Sequence, residues 1–328
     1  MQLVDVALGR LRSAAGAAKV AGSDAPAGVP ASPHSPTTTS NVAALVAAQH
    51  LSEFDLEYAA DEKLLWCNFD YSGRPCYTPA VLEQTQQVQR LVRSISVESG
   101  AGEPAVRYII MGSRTPGVWN LGGDLELFAE LIRRGDRAGL TRYAHVCCEL
   151  TFTNATVFDQ PVITVALVQG DALGGGFEAV LSFNLIVAER SAKFGLPEVL
   201  FNLFPGMGAY TFLSRRIAPG LAERMILSGE IYTAEALYEL GVIDVLAADG
   251  EGVDAFYDYI GRNGRRHATH AAVRQARRIT NPITFEEMTR IADLWVDAAL
   301  KLGEADLRKM LRLAAAQDRR RLRMAPTL

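Results

Sequence analysis

Val162-Ile-Thr-Val-Ala-Leu-Val168, followed by Gly170-Asp-Ala-Leu-Gly-Gly-Gly-Phe-Glu178, decides how this chain reads. The first segment is a short, unbroken, β-branched run between Pro161 and Gly170. A strand covered on both faces reads this way, because neither face meets water. The glycines then predict a turn, Phe177 to Phe183 a helix, and Leu185-Ile-Val-Ala188 the next strand. Strand, glycine turn, helix, strand is the order of an α/β unit with parallel strands.

The glycine turn also has chemical capacity. Glycine admits dihedrals and close approaches that a Cβ forbids. A helix start leaves unpaired N–H groups at the positive end of the dipole. A ligand oxygen that turns negative would be stabilised there. Taken alone, three glycines mean a structural bend. Neither GxGxxG nor GxxxxGK[ST] occurs, which disfavours a phosphate-cradling nucleotide loop.

Two carboxylates flank the next elements. Glu178 lies two residues past Gly176, and Glu198 ends Phe194-Gly-Leu-Pro-Glu198. Both sit in apolar sequence, where ionisation is disfavoured and the pKa rises. Two such groups on one cavity divide acid and base roles; each alone reads as a helix-terminal charge or half of a salt bridge. A second glycine pair stands in Trp119-Asn-Leu-Gly-Gly-Asp-Leu125, after a strand around Ile109 and before a helix. It offers another backbone N–H to the same pocket, with Asp124 as helix N-cap. Leu203-Phe-Pro-Gly-Met-Gly-Ala209 reads as a turn into a helix.

Further out, Phe54 to Phe69 predicts strands with a hairpin around Ala60-Asp61-Glu62. Helical spacing marks residues 79–97 and most of 124–157, and Arg107 to Met111 is a buried strand. Val242-Ile-Asp-Val-Leu246 predicts one more strand, and the chain from about Asp254 is helical. Residues 1–20 have the pattern of a short amphipathic helix. Residues 21–40, rich in Pro, Ser, Thr, Ala and Gly, carry too little apolar surface to offset ordering entropy. The domain expectation is a flexible segment 1–40, an α/β core 41–253 and a helical region 254–328.

The bulk properties exclude several classes. The 328 residues are 49% apolar and 21% charged, with a net charge of −4. That gives no basic face for nucleic acid. The run Arg319-Arg-Arg-Leu-Arg323 reads as a solvated helix end. No apolar run approaches the ~18 residues of a membrane helix. Asp5, Arg10, Arg12 and Lys19 interrupt any signal-peptide core. Cys67, Cys76, Cys147 and Cys148 match no zinc spacing and read as free thiols in a reducing compartment, so a cytoplasmic protein without a metal is expected.

These segments together carry a family resemblance. Gly122-Gly-Asp-Leu125, Gly170 to Glu178, Phe194 to Glu198, Pro205-Gly-Met-Gly208, and Leu227-Ser-Gly-Glu-Ile-Tyr-Thr-Ala-Glu-Ala with Gly241-Val-Ile-Asp244 resemble the enoyl-CoA hydratase/isomerase (crotonase) superfamily in order and spacing. Gly112 to Leu125, Ala166 to Phe183 and Ala314 to Leu322 are similar to its diffusible-signal-factor synthase branch. The resemblance implies an α/β spiral of ββα units with a helical C-terminal region, assembled as trimers or paired trimers. It implies an oxyanion hole from the N–H groups of Gly123 and Gly175, with Glu178 and Glu198 as acid and base in an order left open. Leu173, Gly174, Met207 and Trp295 are implied at the substrate, Met207 and Trp295 being equally plausible as core. No cofactor is implied beyond the acyl thioester on acyl carrier protein or CoA.

For the branch, the implied activity is dehydration of a 3-hydroxyacyl chain on acyl carrier protein to a cis-2-enoyl chain, with thioester cleavage to a free fatty acid signal for quorum sensing. An enoyl-CoA hydratase of fatty-acid degradation is the alternative. A protein acting chiefly by binding a sensor kinase is the alternative of another class.

Overall fold

The computed structural model describes residues 39–95 and 104–324. The amphipathic helix expected over 1–20 lies outside the described residues, as does the expectation of flexibility as far as residue 38. Thr39 and Ser40, assigned to that segment, instead open helix α1 (Thr39–Ala47).

The strands segregate into two sheets by a simple rule. β1 (Phe54–Ala59) and β2 (Leu64–Phe69) form the expected antiparallel hairpin, with Phe54 opposite Phe69. β3 (Tyr108–Ser113), β5 (Ile163–Val168), β7 (Leu185–Glu189) and β10 (Val245–Ala247) complete a six-stranded sheet in the order β1-β2-β3-β5-β7-β10. β4 (Gly117–Asn120), β6 (Gly170–Leu173), β8 (Lys193–Gly195) and β9 (Ile231–Thr233) form a four-stranded sheet in that order. Each of the pairs β3/β4, β5/β6 and β7/β8 thus gives its first strand to the large sheet and its second to the small one. This is the spiral of ββα units that the resemblance implies.

Position explains composition. β5 pairs in parallel with both β3 and β7, and all six of its residues are buried, so the run tolerates no polar alternation. Gly170 to Leu173, read as part of a turn, is instead a strand, because β6 pairs with β4 on one side and β8 on the other. The other misread strand is Val242 to Leu246. The N–H groups of Val242 and Ile243 both reach the carbonyl of Leu237, closing a helix, so neither can join the sheet and β10 starts at Val245.

The helices follow in chain order. α2 (Pro79–Ser94) has Thr78 as N-cap and Pro79 at its first position. The helical stretch 124–157 divides at Gly135 (φ +63°) into α3 (Leu125–Arg133) and α4 (Arg137–Ala155), capped by Asp124 and Asp136. α5 is Gly175–Leu181, α6 Ala209–Leu213, α7 Pro219–Ser228 and α8 Ala234–Glu239. The C-terminal region is helical as expected: α9 (Gly252–Asn263), α10 (His267–Thr280), α11 (Phe285–Ala299) and α12 (Glu304–Met324). α11 buries Met288, Ala292, Trp295, Val296 and Ala299, one face at helical spacing, and its main neighbour is α4. All four cysteines are buried and none is in a disulfide. Among the described residues, no helix is long and apolar enough to cross a membrane.

Candidate active site

The small sheet places the chemistry. β4, β6 and β8 run parallel, so their C-terminal ends share one edge. Gly122 and Gly123 follow β4, Gly174 to Glu178 follow β6, and Glu198 follows β8 in a 3-10 turn, Pro197–Phe201. Three segments spread over some seventy-five residues of sequence are thereby brought to one cavity. Its wall includes Gly123, Gly175, Glu178, Glu198, Met207 and Trp295. The slot encloses about 460 Å³ free of protein atoms, part of it open to solvent.

Two backbone N–H groups are available in that wall. Those of Gly123 and Gly175 donate to no acceptor among the described residues. Their closeness requires Gly122. It takes φ +95°, and a Cβ there would lie 2.8 Å from the carbonyl oxygen of Leu173 and 2.9 Å from the nitrogen of Gly175. Asn120, fully buried, shapes the same loop: its Oδ1 accepts from Gly122 N–H at 2.8 Å and its Nδ2 donates to Tyr71 Oη at 2.8 Å.

Tyr143 holds the loop from the other side, and sequence gave no sign of it. Its hydroxyl donates to the carbonyl of Tyr77 at 2.5 Å and accepts from Asp124 N–H at 3.2 Å. Tyr77 N–H in turn donates to Gly122 O at 2.8 Å, so Gly123 is tied on both flanks. Tyr143→Phe removes both hydroxyl bonds. We expect a loss of about 1–3 kcal/mol of stability by denaturant titration. The turnover number should fall while KM changes little, because the N–H is misaimed and no binding surface is removed. Rates matching wild type would assign Tyr143 to the core alone.

The carboxylates differ in environment. Glu178 is 1% exposed, and its Oε1 accepts from the N–H groups of Met207 at 2.8 Å and Ala209 at 2.9 Å. Burial raises its pKa above the carboxylate range, and these backbone donors pull it part of the way back. Glu198 is half-buried as a residue, but its Oε2 is shielded and has no partner among the described residues. Burial raises its pKa, and the nearby charge of Glu178 raises it further. No Lys or Arg lines the cavity to offset them. The two titrate as one system in which Glu178 is the better stabilised anion and Glu198 the better proton holder.

The remaining sequence candidates separate. Met207 and Trp295 are in the wall. Trp295 packs edge-on against Phe128, ring centroids 5.1 Å apart, and covers Gly206. Leu173 and Gly174 are not wall residues. Gly174 N–H donates to Gly195 O at 2.8 Å, and its φ of +52° opens α5; a Cβ there would lie 2.7 Å from Glu198 Oε1. Asp124 is the N-cap of α3, accepting from Leu127 N–H at 3.2 Å. Phe128, Phe201 and Leu203, none of which sequence had assigned to the cavity, supply much of the apolar wall. Among the described residues, no group of three or more His, Cys, Asp or Glu is placed to hold a metal.

A model of the enoyl-CoA hydratase/isomerase family matches residues 93–277, more than half of the chain. The 2,3-dehydroadipyl-CoA hydratase of Escherichia coli (strain K12) is 32% identical over 164 residues, which are 50% of this chain and 58% of that enzyme. The mitochondrial methylglutaconyl-CoA hydratase of Homo sapiens is 29% identical over 171 residues, 52% of this chain and 48% of that enzyme. The chain therefore spans about half the length of these curated relatives. Two solved structures share the fold. An enoyl-CoA hydratase from Bacillus halodurans has a TM-score of 0.63 at 21% identity, over 80% of this chain and 100% of that one. Pseudomonas aeruginosa DspI has a TM-score of 0.56 at 19% identity, over 76% and 98%. With the paired carboxylates and glycine N–H groups in one cavity and a family match across that cavity's loops, the chain belongs to the enoyl-CoA hydratase/isomerase family.

Proposed function

We propose that this protein is an acyl-thioester lyase working through an enolate. The observation that carries the reading is the convergence of Glu178, Glu198 and the free N–H groups of Gly123 and Gly175 on one cavity. In the hydration direction, ionised Glu178 takes a proton from water as its oxygen attacks C3 of an enoyl thioester. Charge moves to the thioester oxygen, held by the two N–H groups, and Glu198 gives its proton to C2. Dehydration is the reverse: Glu198 takes the C2 proton and Glu178 gives one to the leaving hydroxyl. Each well-aimed donor in such a hole contributes about 3 kcal/mol to the transition state.

For the finer reading, the substrate is a 3-hydroxyacyl chain on acyl carrier protein. The product is a free cis-2-unsaturated fatty acid, released after water attacks the carbonyl in the same hole. Support comes from the branch resemblance of Gly112–Leu125, Ala166–Phe183 and Ala314–Leu322. The apolar wall of Phe128, Phe201, Leu203, Met207 and Trp295 suits an acyl chain, and Met207 is flexible enough to serve chains of different shape. The reaction uses the thioester and water and no other cofactor. A cytoplasmic trimer or paired trimer completes the reading, by family analogy. Incubating the protein with 3-hydroxyacyl–acyl carrier protein should yield free cis-2-enoic acid by mass spectrometry. Reversible hydration of crotonyl-CoA with no released acid would overturn the finer reading in favour of a degradative hydratase. Full biological effect from a Glu178→Ala, Glu198→Ala double variant would favour a role in binding a sensor kinase.

A further inference from the structure

A second cavity lies deeper in the core, between α2, α4 and α5. It has about 540 Å³ free of protein atoms, any space open to solvent included, and no wall residue is more than 9% exposed. Phe69, Ile109, Met111 and Trp119 close it on the side of the sheets. Two helices run from the catalytic slot to this cavity. α4 gives Tyr143 to the slot and Cys147, Leu150, Thr151 and Asn154 to the second cavity. α5 gives Gly175 and Glu178 to the slot and Ala179 to the second cavity. The two spaces thus follow one another along the helices. Cys147 and Asn154 mark out about 10 Å of helix along the second.

Among the described residues, Met207 alone lines both cavities. Its backbone is fixed at each end: the N–H donates to Glu178 Oε1 at 2.8 Å, and the carbonyl accepts from Thr151 Oγ1 at 3.1 Å. Its side chain is unbranched, with three rotatable bonds, and can swing while the backbone stays. The thioether rests over the oxyanion-hole glycine, since a Cβ on Gly175 would lie 2.6 Å from Met207 Sδ. It stands between the place of the reacting carbonyl and the second cavity.

The chemistry of that cavity points to hydrocarbon. No charged residue lines it. Thr85 donates to the carbonyl of Val81, Gln89 to that of Leu150, Asn154 to Ser182 Oγ, and Ser182 to the carbonyl of Ala179. No buried polar atom without a partner among the described residues belongs to its wall. Nothing there calls for water or an ion, and apolar cavities stay dry and take apolar ligands. Left empty, such a space forfeits packing that protein interiors ordinarily keep.

We propose that this second cavity holds the far part of a medium-length acyl chain, and that the Met207 side chain is the partition that swings aside to admit it. The proposal rests on the acyl-thioester reading above. It makes the preferred substrate longer than the few carbons that the catalytic slot itself would enclose.

The test is calorimetric titration with thioethers of N-acetylcysteamine carrying a 2-oxoalkyl chain of four, eight or twelve carbons. That thiol is the end common to CoA and acyl carrier protein, and the ketone is not hydrolysed, so the titration reads binding without chemistry. Wild-type affinity should rise about fourfold for each methylene buried, and so by about a hundredfold or more from four carbons to twelve. Val92→Phe fills the second cavity from α2, away from the glutamates, and should lower the twelve-to-four ratio of affinities at least about tenfold, the loss of two buried methylenes. Met207→Ile keeps the side-chain volume but stiffens χ1; it should lower the same ratio and, as the milder change, decides the matter if Val92→Phe does not fold. Wild-type affinity independent of chain length overturns the proposal, and so does a ratio unchanged from wild type in the folded variants. Turnover of enoyl thioesters of the same thiol tests the lyase reading separately: length-dependent binding without turnover would remove that reading and leave the cavity assigned, while turnover with binding flat in chain length would do the reverse.

Discussion

Glu198→Gln is expected to lower the turnover number about 10²- to 10⁴-fold, the usual contribution of a positioned general acid or base, while leaving a protein that folds better at alkaline pH than the wild type. The two effects share one cause. Glu198 is held in a half-apolar wall beside Glu178, and its raised pKa means that the folded protein keeps a proton that the unfolded chain releases near 4.5. The folded state therefore binds more protons than the unfolded state between that value and the raised one. Its contribution to stability is full below the unfolded pKa and falls as pH rises through the window, by up to about 1.4 kcal/mol per pH unit. Glutamine has no such proton. The variant and the wild type should have similar melting temperatures at acid pH, and the variant should gain as pH rises. Activity of the wild type should fall on both sides of a maximum, since one shared proton is needed: both carboxyls are protonated on the acid side and both ionised on the alkaline side. Flat wild-type stability through this window, or a Glu198→Gln enzyme with near-normal turnover, would show that the pair does not share a proton.

Gly122→Ala should be nearly as damaging, although Gly122 is not itself a donor to the thioester. The new Cβ would press on the carbonyl of Leu173 and the nitrogen of Gly175, both backbone atoms that cannot rotate away. It would also sit at φ +95°, where an L side chain is strained by about 1–3 kcal/mol. The β4 and β6 loops must then separate, and the distance between the Gly123 and Gly175 N–H groups with them. The expected loss in turnover is about 10²- to 10³-fold, that of one oxyanion donor, with a lower melting temperature. Gly135→Ala also introduces a side chain at positive φ, but in open space and outside the cavity wall. It controls for strain: it should lose stability and keep its turnover number. Equal kinetic losses in the two variants would remove the case for a preorganised hole.

What a segment's sequence says about its local structure depends on its neighbours. The run Ile163 to Val168, apolar but for Thr164, read as a strand flanked on both sides, where every residue is buried. Gly170 to Leu173 misled, because a strand of four residues with a glycine at one end has no periodicity to show. What makes it a strand is β4 and β8 on either side. Val242 and Ile243 misled for the opposite reason: they are β-branched and buried, but their N–H groups are spent on closing α8.

The site followed the same division. Glycine pairs and carboxylates could be picked out along the chain as capable of holding an oxyanion and moving a proton, because those capacities belong to residue type. That they meet depends on three parallel strands ending at one edge, a property of pairing between distant segments. Tyr143, which ties down the Gly123 loop, had no local signature at all. Residue chemistry is written position by position, so the sequence by itself determined the main strands of the large sheet, the glycine turn and the candidate acid, base and donors, and not the small sheet. Distances, burial and the raised carboxylate pKa values arise from what lies beside each group after folding, and only the tertiary structure decided those.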